Sequence, residues 1–266
     1  MIYIENICVS GWEAAIRGMR NPMNSWDKSD TQFIDFEEGE YYTIAGEFGP
    51  FYQGEVHDGV NVYFGTNDIK LMKQLASAGS DHAKFRRMIN VTVDITAPRY
   101  WATELDTYKV GTVRNSCSTM HKIAAKEFTI DDFSHEHLIA MKDIEIPDAD
   151  PETVTDNWLR KQYCDTPAVI RSTDRDDIYF SPTGILELTI ESLNKCREMY
   201  LKTKDKRYWW QMIQLLPQSY NQKFTWQANY EVLRNIYHAR KEHKLDEWHD
   251  FCDWIEGLPL AKEVII

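Results

Sequence analysis

From Arg86 to Ala97 the chain reads RRMINVTVDITA, with apolar and polar side chains alternating at every second position until Pro98. A period of two belongs to a strand with one buried face, so a β-strand is predicted here. Residues 2–9, IYIENICV, alternate well enough for another. In GWEAAIRGMRNPMNSW, Ala14, Ala15 and Ile16 predict a short helix broken at Asn21-Pro22. NDIKLMKQLASA, 67–78, is amphipathic: Asn67 is placed at the N-cap, Ile69, Leu71, Met72 and Leu75 on the buried face, and Gly79 at the stop. Residues 98–109, PRYWATELDTYK, are predicted as a helix with Pro98 in its first turn.

Beyond residue 183 the helical period strengthens. TGILELTIESLNKCREMYLKT sets Ile185, Leu188, Ile190, Leu193, Cys196 and Tyr200 near one face. YWWQMIQLL predicts a shorter helix that ends at Pro217. FTWQANYEVLRNIYHARKEH predicts a long one with Trp226, Tyr230, Leu233, Ile236 and Tyr237 turned inward, and LDEWHDFCDWIEGL closes the chain. Residues 27–66 are rich in glycine and read as loops, with YYTIAGEF a candidate short strand. Residues 131–163 read as helical pieces broken at Pro147 and Pro151, and 165–182 as surface loop, so 130–182 is expected to be an insertion or loop-rich region. The fold class that follows is α+β: one domain over 1–266, a small antiparallel or mixed sheet packed with several long helices.

The 266 residues suffice for a substantial core. A net charge of -12 argues against sequence-independent coating of a nucleic-acid polymer or an anionic membrane. The five cysteines are odd in number, widely spaced and without a CxxC pair, as expected of reduced thiols in a cytoplasmic protein. The start of the chain lacks the basic opening of a secretory signal, and no apolar run approaches a membrane span, so no membrane partner is expected.

Several chemistries are excluded by spacing. His238, His243 and His249 do not match a zinc-ligand pattern, and His135 and His137 among Asp131, Asp132 and Glu136 read as a solvated turn, so no metal is expected. No GxGxxG, GxxxxGK[ST] or GxSxG motif occurs. Attention falls on 106–121, DTYKVGTVRNSCSTMH, a polar stretch close behind a buried strand. Thr112, Ser116, Ser118 and Thr119 bring hydroxyls, Arg114 a guanidinium fork and Tyr108 a ring. Such a stretch either lines a ligand pocket or forms a capped, exposed turn. Cys117 is either a nucleophile activated by Lys109, Arg114 and His121 or a small packed thiol, and packing is the commoner role. Asn229 and Arg240 stand eleven residues apart, three turns on one helical side, and with Trp226 and Tyr237 nearby they suit a planar heterocycle.

Taken in order, these blocks resemble the flavin-dependent thymidylate synthases. Leu216-Pro217, Phe224, Trp226, Asn229 and Arg240 stand at the spacing of that family's C-terminal signature. EAAIRGMR is similar to its early Ala-Arg-rich helix. LMKQLASAGSDHAKFRR followed by INVTVDITAP is similar to its helix, turn and Ala-Pro strand. The hallmark R-H-R-x-x-S-x-N-x-x-S-x-R falls on TYKVGTVRNSCST, Thr107 to Thr119. There Thr107, Tyr108 and Lys109 replace Arg-His-Arg, Arg114 replaces Asn, Cys117 the second Ser and Thr119 the last Arg, while the family's phosphate-binding Arg falls on Ile213.

The resemblance implies a homotetramer that holds FAD and dUMP at subunit junctions. Reduced flavin passes a methylene group from methylenetetrahydrofolate to the uracil ring, with NADPH as the other co-substrate. It implies Arg240 as the catalytic residue against the pyrimidine, with Thr112, Arg114 and Cys117 also on the substrate side. His82, Lys109 and Asn229 would bind the cofactor. The altered hallmark supports a second expectation beside the enzyme: the same fold serving as a non-catalytic or different-specificity nucleotide-binding or interaction protein.

Overall fold

The alternation after Arg86 becomes the second strand of the main sheet. The computed structural model describes residues 1–35, 60–140, 169–171 and 178–266. They fall into two units, one of Met1–Ala97, Trp101–Ser116 and Gln222–Ile266, the other of Pro98–Tyr100 and Cys117–Asn221.

The first unit is built on a four-stranded sheet in the order β1-β4-β8-β5, with β1 Tyr3–Ser10, β4 Asn90–Pro98, β5 Thr112–Ser116 and β8 Asn221–Asn229. β1 pairs antiparallel with β4 and β5 antiparallel with β8. Val91, Val93, Ile95 and Ala97 of β4 are fully buried, as the period of two requires. The strand starts later than expected, because Arg86–Met88 belong to a 3-10 turn, Ala83–Met88. β1 carries an irregularity between Glu5 and Cys8, where Asn6 takes a left-handed conformation at φ 54°.

Two expectations are corrected here. The long helix expected over FTWQANYEVLRNIYHARKEH is a strand followed by a helix: β8 runs to Asn229 and α7 occupies Tyr230–Arg240. Phe224, Trp226 and Ala228 are buried while Lys223, Thr225 and Gln227 are exposed, a period of two hidden inside a longer apolar stripe. The helix expected over 98–109 is α3, Arg99–Leu105, and the polar stretch behind it supplies an edge strand, β5. Thr107 shortens α3 by donating its backbone N–H and its Oγ1 to the Glu104 carbonyl.

The helices cover the inner face. α7 buries Tyr230, Leu233 and Ile236, and α8, Asp246–Glu256, buries Trp248, Phe251 and Ile255. Trp101 of α3 packs 4.9 Å from Trp248 and Trp226 lies 5.8 Å from Phe251, ring centre to ring centre. α1, Trp12–Arg20, forms as expected, and a short helix, α9, spans Ala261–Val264. α2, Thr66–Ser77, buries Met72 fully and Ile69, Leu71 and Leu75 partly. Its cap is not Asn67: the Asp30 carboxylate accepts from the backbone N–H of Asn67 at 3.0 Å and of Asp68 at 3.1 Å. Gln32–Asp35 and Val60–Tyr63 form a two-stranded ribbon, β2-β3.

In the second unit α5, Pro182–Thr203, and α6, Lys206–Leu215, follow α4, Thr119–Lys122. The core joins Phe128, Phe133, Leu186, Leu193, Met212 and Leu216. On α5 the expected face is rotated at its start: Leu186 is buried, whereas Ile185 and Leu188 are each 47% exposed. Within the stretch expected as surface loop, Val169–Arg171 and Ile178–Phe180 pair as a ribbon, β6-β7. The YYTIAGEF strand, Cys164 and most of the helical pieces expected over 131–163 lie outside the described residues. Among the described residues no helix is long and apolar enough to cross a membrane, and no three His, Cys, Asp or Glu side chains converge as metal ligands.

Candidate functional site

The site is assembled around the C-terminal turn of α3, which two arginines grip. Arg240 closes α7, and burial of Leu233, Ile236 and Tyr237 on the same helix fixes where its side chain emerges. Its Nε donates to the Tyr108 hydroxyl at 3.0 Å and its Nη1 to Glu104 Oε2 at 3.0 Å. The guanidinium lies 4.7 Å from the centre of the Trp248 ring and 5.7 Å from that of Tyr108. Trp248 Nε1 donates to the same Glu104 oxygen at 3.0 Å, and His243 Nε2 stands 3.7 Å from it. The His243 ring is oriented from its other side, where Nδ1 accepts from the Leu245 N–H. One turn earlier, Tyr237 donates to Glu256 at 2.7 Å, a bond that pushes its phenol up to about 12 and keeps it protonated.

Arg114 approaches the same turn from β5, opposite Trp226 in the ladder. Its Nη1 donates to Asp106 at 2.7 Å and to the Ala102 carbonyl at 3.4 Å, and its Nη2 to Gln222 at 3.1 Å. The guanidinium sits 4.0 Å over the Phe224 ring. Both arginines are therefore paired with a carboxylate, and each braces a helix end whose free carbonyls favour positive charge.

Asn229 does not share a helical side with Arg240. It is extended, at φ −106° and ψ 166°, and caps α7 by accepting from the Val232 N–H at 3.0 Å. The loop before β5 presses on it. Gly111 holds φ 79°, and a Cβ there would meet Asn229 Nδ2 at 3.1 Å and the Val232 side chain at 3.2 Å, so glycine is required for the approach. Thr112 secures the loop by donating Oγ1 to the Tyr108 carbonyl at 2.5 Å. Lys109 in this loop and His82 before the 3-10 turn are exposed. Cys117 begins the second unit and is exposed, which corrects the expectation of a packed thiol.

The loop from Tyr108 to Thr112 thus touches both ends of α7, Tyr108 meeting Arg240 at its C-terminus and Gly111 packing on Asn229 at its N-terminus, while Arg114 is set against the helical turn that Arg240 also grips. Glu104 and Trp248 were missed by sequence reasoning. A carboxylate in the last turn of α3 opposes the helix dipole, and that anomaly was the available signal for Glu104.

Neither protein-family models nor curated protein sequences match this chain. Solved structures do. The chain is similar to thymidylate synthase X (ThyX) from Helicobacter pylori, solved with FAD and dUMP, at a TM-score of 0.54 and 13% identity over 99% of this chain and 97% of that one. It is similar also to the UMP/dUMP methylase PolB from Streptomyces cacaoi bound with 5-Br UMP, at a TM-score of 0.53 and 11% identity over 99% and 93%. At these identities the likeness is one of fold, and the fold is that of the flavin-dependent thymidylate synthases.

Proposed function

We propose that this chain is a flavin-dependent enzyme of the thymidylate synthase type, transferring a one-carbon unit to the ring of a pyrimidine nucleotide, as from dUMP to dTMP. One observation carries the reading: in a chain that shares its fold with ThyX and PolB over nearly its whole length, Arg240 ends α7 as a guanidinium framed by the Tyr108 and Trp248 rings. With Nε and Nη1 engaged, Nη2 remains to donate to a ring carbonyl and to stabilise negative charge that develops there during transfer.

The residues present fit FAD. The side chains of His82 and Lys109 are exposed, and Asn229 keeps its amide donor after its oxygen has capped α7. Donors of this kind suit a pyrophosphate and the carbonyls of a flavin, and these three residues would hold it. FAD supplies the redox couple for the transfer, with NADPH and methylenetetrahydrofolate as co-substrates. Thr112, Arg114 and Cys117 are assigned to the substrate side, with Thr112 and Arg114 acting through the loop and helix end that they fix. A cytoplasmic homotetramer is the assembly that goes with this reading.

A second reading is favoured by the pairing of Arg114 with Asp106 and of Arg240 with Glu104, which leaves neither guanidinium as an open anion receptor. On that reading the fold binds a nucleotide without transferring carbon. Purified protein separates the two. The enzyme takes up FAD with its visible absorbance and converts dUMP to dTMP when given NADPH and methylenetetrahydrofolate. Protein that binds dUMP but gains no flavin and forms no dTMP establishes the second reading.

A further inference from the structure

Glu104 is the least expected member of the site, because a carboxylate at a helix C-terminus is disfavoured unless it is used. One of its oxygens, Oε2, is spent: it accepts from Arg240 Nη1 and Trp248 Nε1, both at 3.0 Å. The other, Oε1, accepts from no described residue, and the side chain is 37% exposed. Arg240 mirrors this state. Nε and Nη1 are engaged, Nη2 donates to no described residue, and the side chain is 20% exposed. Nη2 and Oε1 are thus the open donor and the open acceptor of one ion pair. The carboxylate also neutralises the guanidinium. The pair therefore reads a ligand by its hydrogen-bond pattern more than by its charge.

An adjacent donor and acceptor complement a cyclic amide edge, in which a carbonyl oxygen lies next to an N–H. We propose that Glu104 is a specificity-determining residue of this site, its Oε1 accepting the N3–H of a uracil ring while Arg240 Nη2 donates to the neighbouring ring carbonyl. The inference rests on the pyrimidine reading given above and adds to it a residue and a contact. The neighbours hold the pair in place: Tyr108 fixes Arg240 through Nε, Trp248 fixes Glu104 through its indole N–H, and the rings flank the guanidinium. In Glu104→Gln the amide oxygen keeps both donors, Arg240 Nη1 and Trp248 Nε1, and the NH₂ group replaces Oε1. The geometry stays while the acceptor offered to the ring becomes a donor.

Calorimetric titration of the full chain, with FAD present, measures affinity for dUMP and for its N3-methyl analogue. Wild type is expected to favour dUMP by about tenfold or more, the worth of one hydrogen bond to a charged group. Glu104→Gln, checked for folding by its circular dichroism melt, is expected to lose about tenfold in dUMP affinity and most of that preference. Equal binding of the two nucleotides by wild type overturns the inference without recourse to any variant, as does a Glu104→Gln protein that keeps the wild-type preference. Wild type that binds neither nucleotide refutes the pyrimidine reading itself, and the inference falls with it.

Discussion

Arg240 Nε donates to the Tyr108 hydroxyl across 3.0 Å, joining the last residue of α7 to the loop that leads into β5. Helix and loop are more than a hundred residues apart in sequence, so the bond closes the site from two distant parts of one unit. The hydroxyl gives the guanidinium a fixed acceptor and the ring gives it a face.

Tyr108→Phe tests this directly. The ring stays, the acceptor goes, and Arg240 Nε is left half-buried without a partner. Stability is expected to fall by about 1 kcal/mol in urea denaturation, the typical net worth of one hydrogen bond. Affinity for dUMP is expected to fall as well, because the guanidinium is freer to turn away. Arg240→Ala is expected to abolish dUMP binding by calorimetry, and unchanged affinity would remove Arg240 from the site.

Arg114 was expected on the substrate side, and the structure gives it internal work. It joins Asp106, the Ala102 carbonyl and Gln222 while stacked on Phe224. Arg114→Ala is expected to cost about 1–3 kcal/mol of stability, from charge-assisted hydrogen bonds and lost stacking. Nucleotide affinity should follow that loss only weakly. A variant that melts like wild type but binds dUMP much more weakly would restore Arg114 as a ligand residue.

Much of the architecture was written in local periodicity. β4, α1, α2, α6 and α8 follow from it because each buries one face of a regular element. The junction at Asn229 was hidden for a physical reason. Phe224, Trp226, Tyr230, Leu233 and Tyr237 satisfy a helical stripe as well as a strand followed by a helix, and sheet pairing decides between them. β5 was hidden because an edge strand needs few apolar residues: Thr112, Val113, Arg114, Asn115 and Ser116 are held by backbone pairing to β8. At the candidate site, the spacing of Asn229 and Arg240 suggested one helical side, and the structure instead makes Asn229 the cap of the helix that Arg240 ends. Glu104 and Trp248 meet Arg240 only through tertiary packing, which no local pattern records.

Below about pH 4 the buried pair of Arg20 and Asp68 should govern stability. Burial raises the Asp68 carboxyl, but hydrogen bonds from Thr31, Ser29 and Arg20 and the Arg20 charge outweigh it and hold the group below its ordinary value of 3.8. A carboxyl depressed in the folded state stabilises the protein above its unfolded value, and the contribution drains away as pH falls from 3.8 toward the folded value. Asp68→Asn leaves Arg20 buried without a counter-charge, so about 3–5 kcal/mol should be lost at pH 7. The variant should then show a flatter stability profile than wild type from pH 5 to 3 in urea titrations. Parallel profiles would mean that other carboxylates carry the acid response.

The cysteines allow a test of where the substrate-side edge of the site lies. Cys117 is exposed, whereas Cys252 is buried in α8 and burial pushes its thiol up to about 11. Only the thiolate reacts readily, so Cys252 is protected both by access and by its high pKa. In native protein a maleimide should label Cys117 within minutes and reach Cys252 only after denaturation, as peptide mass spectrometry would show. If Cys117 borders bound nucleotide, saturating dUMP should slow its labelling severalfold while the half-buried Cys8 and Cys196 keep their own rates. Labelling of Cys117 that ignores dUMP would take it off the substrate side and leave the nucleotide with the residues around Arg240.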